Sequence, residues 1–326
     1  MCAQSPPTLA GSRRYAMTRF TAALSSYSFA HRPLNWLALA SIAGATIIGV
    51  FYLFDTRELL GVSLWEKPLK FLLSTAVYAL TFSWFAGLIT KRLRLVWWLG
   101  TLIALMLAIE LIIIIGLASA GLTSHFNVSS GFHIAMWSIM ASGISILWFL
   151  SFAVGAFLWN SRTITAVLRN AIRWGLSIGL AGMGLAFTMT SPNPEQLSNF
   201  EGIAGAHTVG ASDGGPGLPF LGWSTIGGDL RIAHFLGLHG LQFMPLIGLW
   251  LIASIATVGL QRALLHGAGV TYALLVVTVY VQALAGESIV APSALTIVGF
   301  VTSVGVGLLT GTAVLLNARA RARITR

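Results

Sequence analysis

Residues 95–117 read LVWWLGTLIALMLAIELIIIIGL, an unbroken apolar run with one ionisable side chain, Glu110. Coiled as a helix at ~1.5 Å per residue, this run is long enough to cross a hydrocarbon layer of ~30 Å. It is apolar on every side, so it has no face to offer to water. Seven further runs of similar length follow the same rule, at residues 34–54, 69–89, 132–159, 171–189, 232–256, 268–286 and 293–316. The expected fold is therefore all-α: a polytopic transmembrane helix bundle of about eight spans.

Composition agrees with this reading. The chain is 56% hydrophobic and 9% charged, whereas a soluble surface uses about a quarter charged residues. Alternating segments of about 10 residues, the mark of a transmembrane barrel, do not occur. Residues 1–33 are expected to form a basic cytoplasmic tail, residues 34–316 the bundle with an extracytoplasmic loop at 190–231, and residues 317–326 a second basic tail. The first tail has no apolar core before a small-residue cleavage site, so it makes a poor signal peptide, and Met17 is an alternative start. The sole cysteine is Cys2. With no disulfide and no CxxCH attachment, any metal or haem must be held by nitrogen and oxygen ligands.

Charge orients the bundle. With both termini cytoplasmic, fifteen of the 19 Lys and Arg residues fall on the inner side and four, Arg57, Lys67, Lys70 and Arg231, on the outer side. Eight of the nine acidic residues fall outside, and the ninth is Glu110. This follows the positive-inside tendency. The formal charge of +10 is then a topology signal and an attraction to anionic lipid, and no nucleic-acid partner is expected.

The loop at 190–231 has a glycine- and proline-rich second half that calls for turns, and Phe200, Ile203, Phe220, Leu221 and Trp223 give it apolar material with which to dock as a lid. The segments DGGPGLP, WST, GDLR and HFLGLHGLQ between His207 and Gln242, with WEKPLKF and TSHFN earlier, resemble an uncharacterised family of bacterial polytopic inner-membrane proteins. The resemblance implies a bacterial inner-membrane location and says nothing of the chemistry.

The polar side chains within the spans gather in their outer halves. Glu110 lies seven residues before the end of its span and His239 seven residues after the start of its own, at an equal depth of about 10 Å. The two are expected to form a coupled pair if their helices are neighbours, because a buried carboxylate needs a cation or hydrogen-bond donors. Lys70, Ser74 and Tyr78 follow an i, i+4, i+8 stripe and share one helix face, with Lys67 beside it and Lys70 a partner for Glu110. Gln242 shares a face with His239, Pro245 can kink the helix just beyond, and His234 is expected to turn toward Asp229 and Arg231.

The site expected from these residues is an outward-facing pocket. Glu110 and His239 would do the chemistry, and Lys70, Ser74, Tyr78, Gln242, Asp229 and Arg231 would hold a small-molecule or lipid ligand at the periplasmic face. His239, His234, His133 and His125 are the metal-ligand candidates, for a metal ion or a b-type haem. No HxxxH or HExxH spacing marks a zinc hydrolase. The leading reading is redox or lipid-linked chemistry. A proton- or cation-coupled transporter using Glu110, and a structural or accessory subunit whose polar layer fixes packing, stand as alternatives.

Overall fold

The computed structural model describes residues 29–324. The expected tail through residue 28, with Cys2 and Met17, lies outside the described residues. Among the described residues, eight helices are long and apolar enough to cross a membrane. They are α1 (Arg32–Phe54), α2 (Glu66–Gly87), α3 (Leu93–Ser119), α4 (Gly131–Trp159), α5 (Ala166–Leu185), α7 (Leu230–Ser254), α8 (Val258–Leu284) and α9 (Ala294–Ile324). Between α5 and α7 stands the short α6 (Pro194–Ser198), and the strands are two-residue pieces: β1 (Glu58–Leu59) with β2 (Val62–Ser63), and β3 (Thr208–Val209) with β4 (Gly228–Asp229). The chain is thus a multi-pass helical bundle.

Two helix starts differ from expectation. α8 begins at Val258 rather than 268, because Gln261, Arg262 and His266 depress the hydropathy without breaking the helix. Three residues, Ile255 to Thr257, suffice for the turn, and Gln261 Nε2 donates to Ile255 O at 2.5 Å to close it. α5 begins at Ala166 rather than 171, with the Thr165 side chain accepting from Leu168 N as its cap. α9 also continues in helix to Ile324, past the expected end of its span.

α5 and α7 meet through glycine. A Cβ on Gly182 would lie 2.5 Å from Gly237 Cα, and one on Gly175 would lie 2.8 Å from Gly240 O. Backbones can approach this closely only where side chains are missing, which is how membrane helices gain packing without a hydrophobic driving force. A Cβ on Gly307 of α9 would meet Thr271 of α8, whereas nothing lies within 4 Å of a Cβ on Gly311. The largest core cluster joins α1 to α5 and α7 around Phe82, Phe85, Leu34, Ile103, Leu168 and Leu241, all 1% exposed or less.

The segment between α5 and α7 is folded. Asn193 and Gln196 cap α6 reciprocally, and β3 pairs with β4 just before α7. The segment docks on all three other connections at its end of the bundle. Gly214 meets the β1–β2 hairpin at Leu60 O, Val128 N donates to Gly202 O at 2.8 Å and Ala204 N to Phe126 O at 2.8 Å, and Ser288 Oγ donates to Ser224 O at 3.2 Å. This ordered lid defines one end of the bundle, called the lidded end below.

Candidate functional site

Under the lid, three elements bring Lys67, Glu110 and His125 together. Lys67 is the second residue of α2, where the first four backbone N–H groups lack intrahelical acceptors in any case, so Pro68 at the third position removes no helix bond. Glu110 lies in the half of α3 nearer the lid and is 4% exposed. His125 follows α3 in the short connection to α4, boxed by the rings of Phe71, Phe126 and Trp137 at 5.7, 6.1 and 5.4 Å.

The partners fix the tautomer of His125. Lys67 Nζ stands 3.0 Å from His125 Nδ1, and an ammonium can only donate. Nδ1 is therefore the acceptor and the imidazole proton sits on Nε2, with Ser124 Oγ also 3.0 Å from Nδ1. Nε2 faces Glu110 Oε1 at 3.6 Å, too far for a normal hydrogen bond. Burial pushes the His125 imidazole well below the usual histidine range, and the nearby positive charge of Lys67 pushes it further. The ring is therefore neutral at pH 7.

Glu110 is left incompletely satisfied. Among the described residues no hydrogen bond reaches its carboxylate, and no ion pair within 4.0 Å joins it to Lys67, although the two charges feel each other. A buried carboxylate without donors costs several kcal/mol. Glu110 Oε1 thus keeps its acceptor capacity beside a buried imidazole N–H.

The lid adds a second histidine. His207 Nδ1 is 2.8 Å from Asp213 Oδ2, and Asp213 also accepts from the backbone N–H groups of His207 at 3.0 Å and Thr208 at 2.9 Å. Burial alone would raise the Asp213 carboxyl, but the hydrogen bond and charge of His207 outweigh it and hold it below the usual carboxylate range. Burial lowers His207 against the opposing pull of Asp213. The two imidazoles flank Phe126, with His207 4.8 Å from its ring.

Other expected site residues fall elsewhere. Lys70 pairs with Glu66 at 2.7 Å rather than with Glu110, because the i, i+4 carboxylate on its own helix is closer at hand. His239 Nδ1 meets Gln242 Oε1 at 3.2 Å, and Gln242 Nε2 donates to Thr81 Oγ1 at 2.8 Å. That chain pins α7 to α2, and Glu110 and His239 have separate partners. His234 does not turn to Asp229 and Arg231. Its Nδ1 meets Gly182 O at 2.8 Å, where the glycine seam lets a neighbouring backbone carbonyl come within reach.

Asp229 and Arg231 instead pair with each other at 2.6 Å. Tyr78 bonds Ser151 Oγ on α4 at 2.6 Å, and Ser74 is half-buried on α2. His133 Nδ1 meets Ser130 Oγ at 2.9 Å in the cap of α4. Among the described residues no three His, Cys, Asp or Glu side chains are grouped to hold a metal ion, so His125, His133, His234 and His239 do not converge.

In the sequence Lys67 stands only as a neighbour of the Lys70–Ser74–Tyr78 stripe, and nothing in it joins His207 to Asp213. The i, i+6 spacing of that pair follows no helix or strand period, and it is formed by a turn. No family model matches the chain, and no curated protein or solved structure matches it either.

Proposed function

We propose that the chain is a bacterial inner-membrane protein, with both termini cytoplasmic and the lid outside, that binds a small polar ligand or a lipid headgroup at an acid–base site formed by Glu110, His125 and Lys67. The observation that carries the reading is the buried Glu110 carboxylate, 4% exposed and without a hydrogen bond among the described residues, facing an imidazole N–H at 3.6 Å. A ligand hydroxyl or amide set against Glu110 and the His125 Nε2–H would supply the missing donor and acceptor together. Glu110 would take the ligand's proton, the His125 Nε2–H would stabilise the resulting charge, and Lys67 would hold His125 in the tautomer that allows it. The charge bias of the loops supports the orientation.

Passage through the bundle has less support. Tyr78 lies eight residues beyond Lys70 on α2, about 12 Å deeper, and stacks on Phe82 at 4.5 Å. With Phe82 at 1% and Phe85 at 0% exposure, the site has a packed aromatic floor. Entry and exit from the lid side fit this better than transport, and among the described residues no three His, Cys, Asp or Glu side chains are grouped to hold a metal ion.

The test is mass spectrometry of small molecules and lipids released from protein extracted into native-lipid discs. A polar ligand retained by the wild type and lost from Glu110→Gln supports the reading. Identical ligand profiles in the two contradict it.

A further inference from the structure

The tip of the lid is held by two cations whose carboxylate partners lie below it. Lys70 Nζ donates to Glu66 Oε1 at 2.7 Å and to Leu221 O at 3.1 Å. Arg231 binds Asp229 through Nε at 2.9 Å and Nη2 at 2.6 Å, and Nη2 also donates to Gly222 O at 2.5 Å. Two neighbouring backbone carbonyl oxygens thus occupy the donor face of a Lys–Arg pair supplied by different helices, α2 and the start of α7.

Neither cation is used up by this arrangement. An ammonium has three protons and a guanidinium five. Among the described residues Lys70 meets two acceptors, and no hydrogen bond is made by Arg231 Nη1. Lys67 lies within electrostatic reach of both. Lys67, Lys70 and Arg231 are three of the only four Lys and Arg residues between residues 33 and 90 or in the lid and its junction with α7.

The turn that supplies the carbonyls is itself under strain. Phe220 sits at φ +62° and Gly222 at φ +65°. The left-handed region suits glycine but is strained for a phenylalanine. A Cβ on Gly222 would stand 3.1 Å from Glu66 Oε1 and 3.6 Å from Lys70 Nζ, so the tip presses directly onto the ion pair. Neutral carbonyls are weaker acceptors for Lys and Arg than anionic oxygens, which form shorter and stronger charge-assisted bonds.

We propose that Lys70 and Arg231 are a recognition site for the anionic oxygens of a phosphate group, and that such a group displaces the Leu221 and Gly222 carbonyls and thereby lifts the lid tip. The carbonyls stand in for the anion while the lid is shut. The phosphate belongs either to a lipid headgroup or to a soluble ligand. The inference deepens the ligand-binding reading of the lidded end by naming the ligand's charged group, and it places that group beside Lys67, within reach of the acid–base site.

The test uses the full-length protein with Cys2→Ser and cysteines introduced by Tyr52→Cys and Phe220→Cys, two positions whose rings meet at 6.3 Å when the tip is closed. The rate of oxidative cross-linking in maltoside micelles reads tip closure. Adding inorganic phosphate or phosphatidylglycerol, against chloride at equal ionic strength, should slow cross-linking about tenfold. A response to both marks a soluble or shared phosphate site, and a response to phosphatidylglycerol alone marks a headgroup site. The response should be lost in Lys70→Met, and in Arg231→Lys, which keeps the charge and the fold but loses the forked donor geometry. An unchanged rate with both phosphates, or a slowed rate that persists in these variants, overturns the proposal. Glu110 takes no part in this readout, so the latch can fail while the acid–base site stands, and the reverse.

Discussion

His125 Nε2 stands 3.6 Å from Glu110 Oε1 while Lys67 Nζ approaches the other ring nitrogen at 3.0 Å. A neutral imidazole is thereby interposed between a buried carboxylate and an ammonium, and a change at either end is felt at the other through the ring.

The first prediction concerns that coupling. Lys67→Met should lower stability by about 1–3 kcal/mol by taking the donor away from His125 Nδ1, whereas Glu110→Gln breaks no hydrogen bond and removes a buried charge, and should leave stability unchanged or raise it. The double variant should cost less than the sum, whereas Glu110→Gln combined with His239→Ala should be additive within about 0.5 kcal/mol. Thermal unfolding in discs reads both cycles, and additivity in the first would separate Glu110 from Lys67.

The second concerns the lid. Asp213 accepts from His207 N, Thr208 N and the His207 ring, so Asp213→Asn replaces a charged acceptor by a neutral one at the base of β3. Hydrogen exchange at His207 and Thr208 should accelerate by an amount equivalent to about 1–3 kcal/mol of local opening. Exchange unchanged at those amides would mean that Asp213 does not hold the turn.

The third is a pH dependence of lid opening. Burial holds His125 and His207 below the usual histidine range in the closed state, and opening lets both return toward about 6.5. The open state therefore binds more protons below that value, and stability rises with pH across the window. His125 faces Lys67, Glu110 and His207, and His207 faces Asp213, Arg231 and Lys67; at His207 the pull of Asp213 opposes burial, and burial is the larger influence. Lid protection, followed by hydrogen exchange corrected for intrinsic rates, should fall as pH is lowered from 7 to 5. A rise on acidification would contradict the assignment of neutral rings.

The fourth tests the α5–α7 seam. Gly237→Ala places a methyl against Gly182 Cα at 2.5 Å and should destabilise by about 1–3 kcal/mol through overpacking. Gly311→Ala, with nothing within 4 Å, should be neutral or gain up to about 1 kcal/mol from helix propensity. Equal effects at the two positions would mean that the seam is not close-packed.

Much of the fold was legible because apolar length is itself the signal. A run such as residues 95–117 has no other stable setting, and eight such runs yielded eight helices. Helix starts were less legible at Val258, where polar residues sit inside a helix that ends in a three-residue turn. The site was harder to read because depth along a helix does not tell which helices are neighbours. Glu110 and His239 have equal estimated depth, yet Glu110 faces a residue from the adjoining connection, His125, and His239 faces Gln242 on its own helix. Lys67, one residue from the Pro68 start, lay off the stripe used to find the polar face, and the His207–Asp213 contact arises from a turn that has no period to recognise.

The account rests most heavily on a neutral His125 with its proton on Nε2, directed at Glu110. Nitrogen-15 NMR of histidine-labelled protein in lipid discs, with the signal assigned by His125→Gln, measures this directly at pH 7. The account predicts a neutral ring with Nε2 protonated and Nδ1 unprotonated, and a shift of the Nε2 resonance on Glu110→Gln. A doubly protonated ring, a proton on Nδ1, or a spectrum indifferent to Glu110→Gln would contradict it.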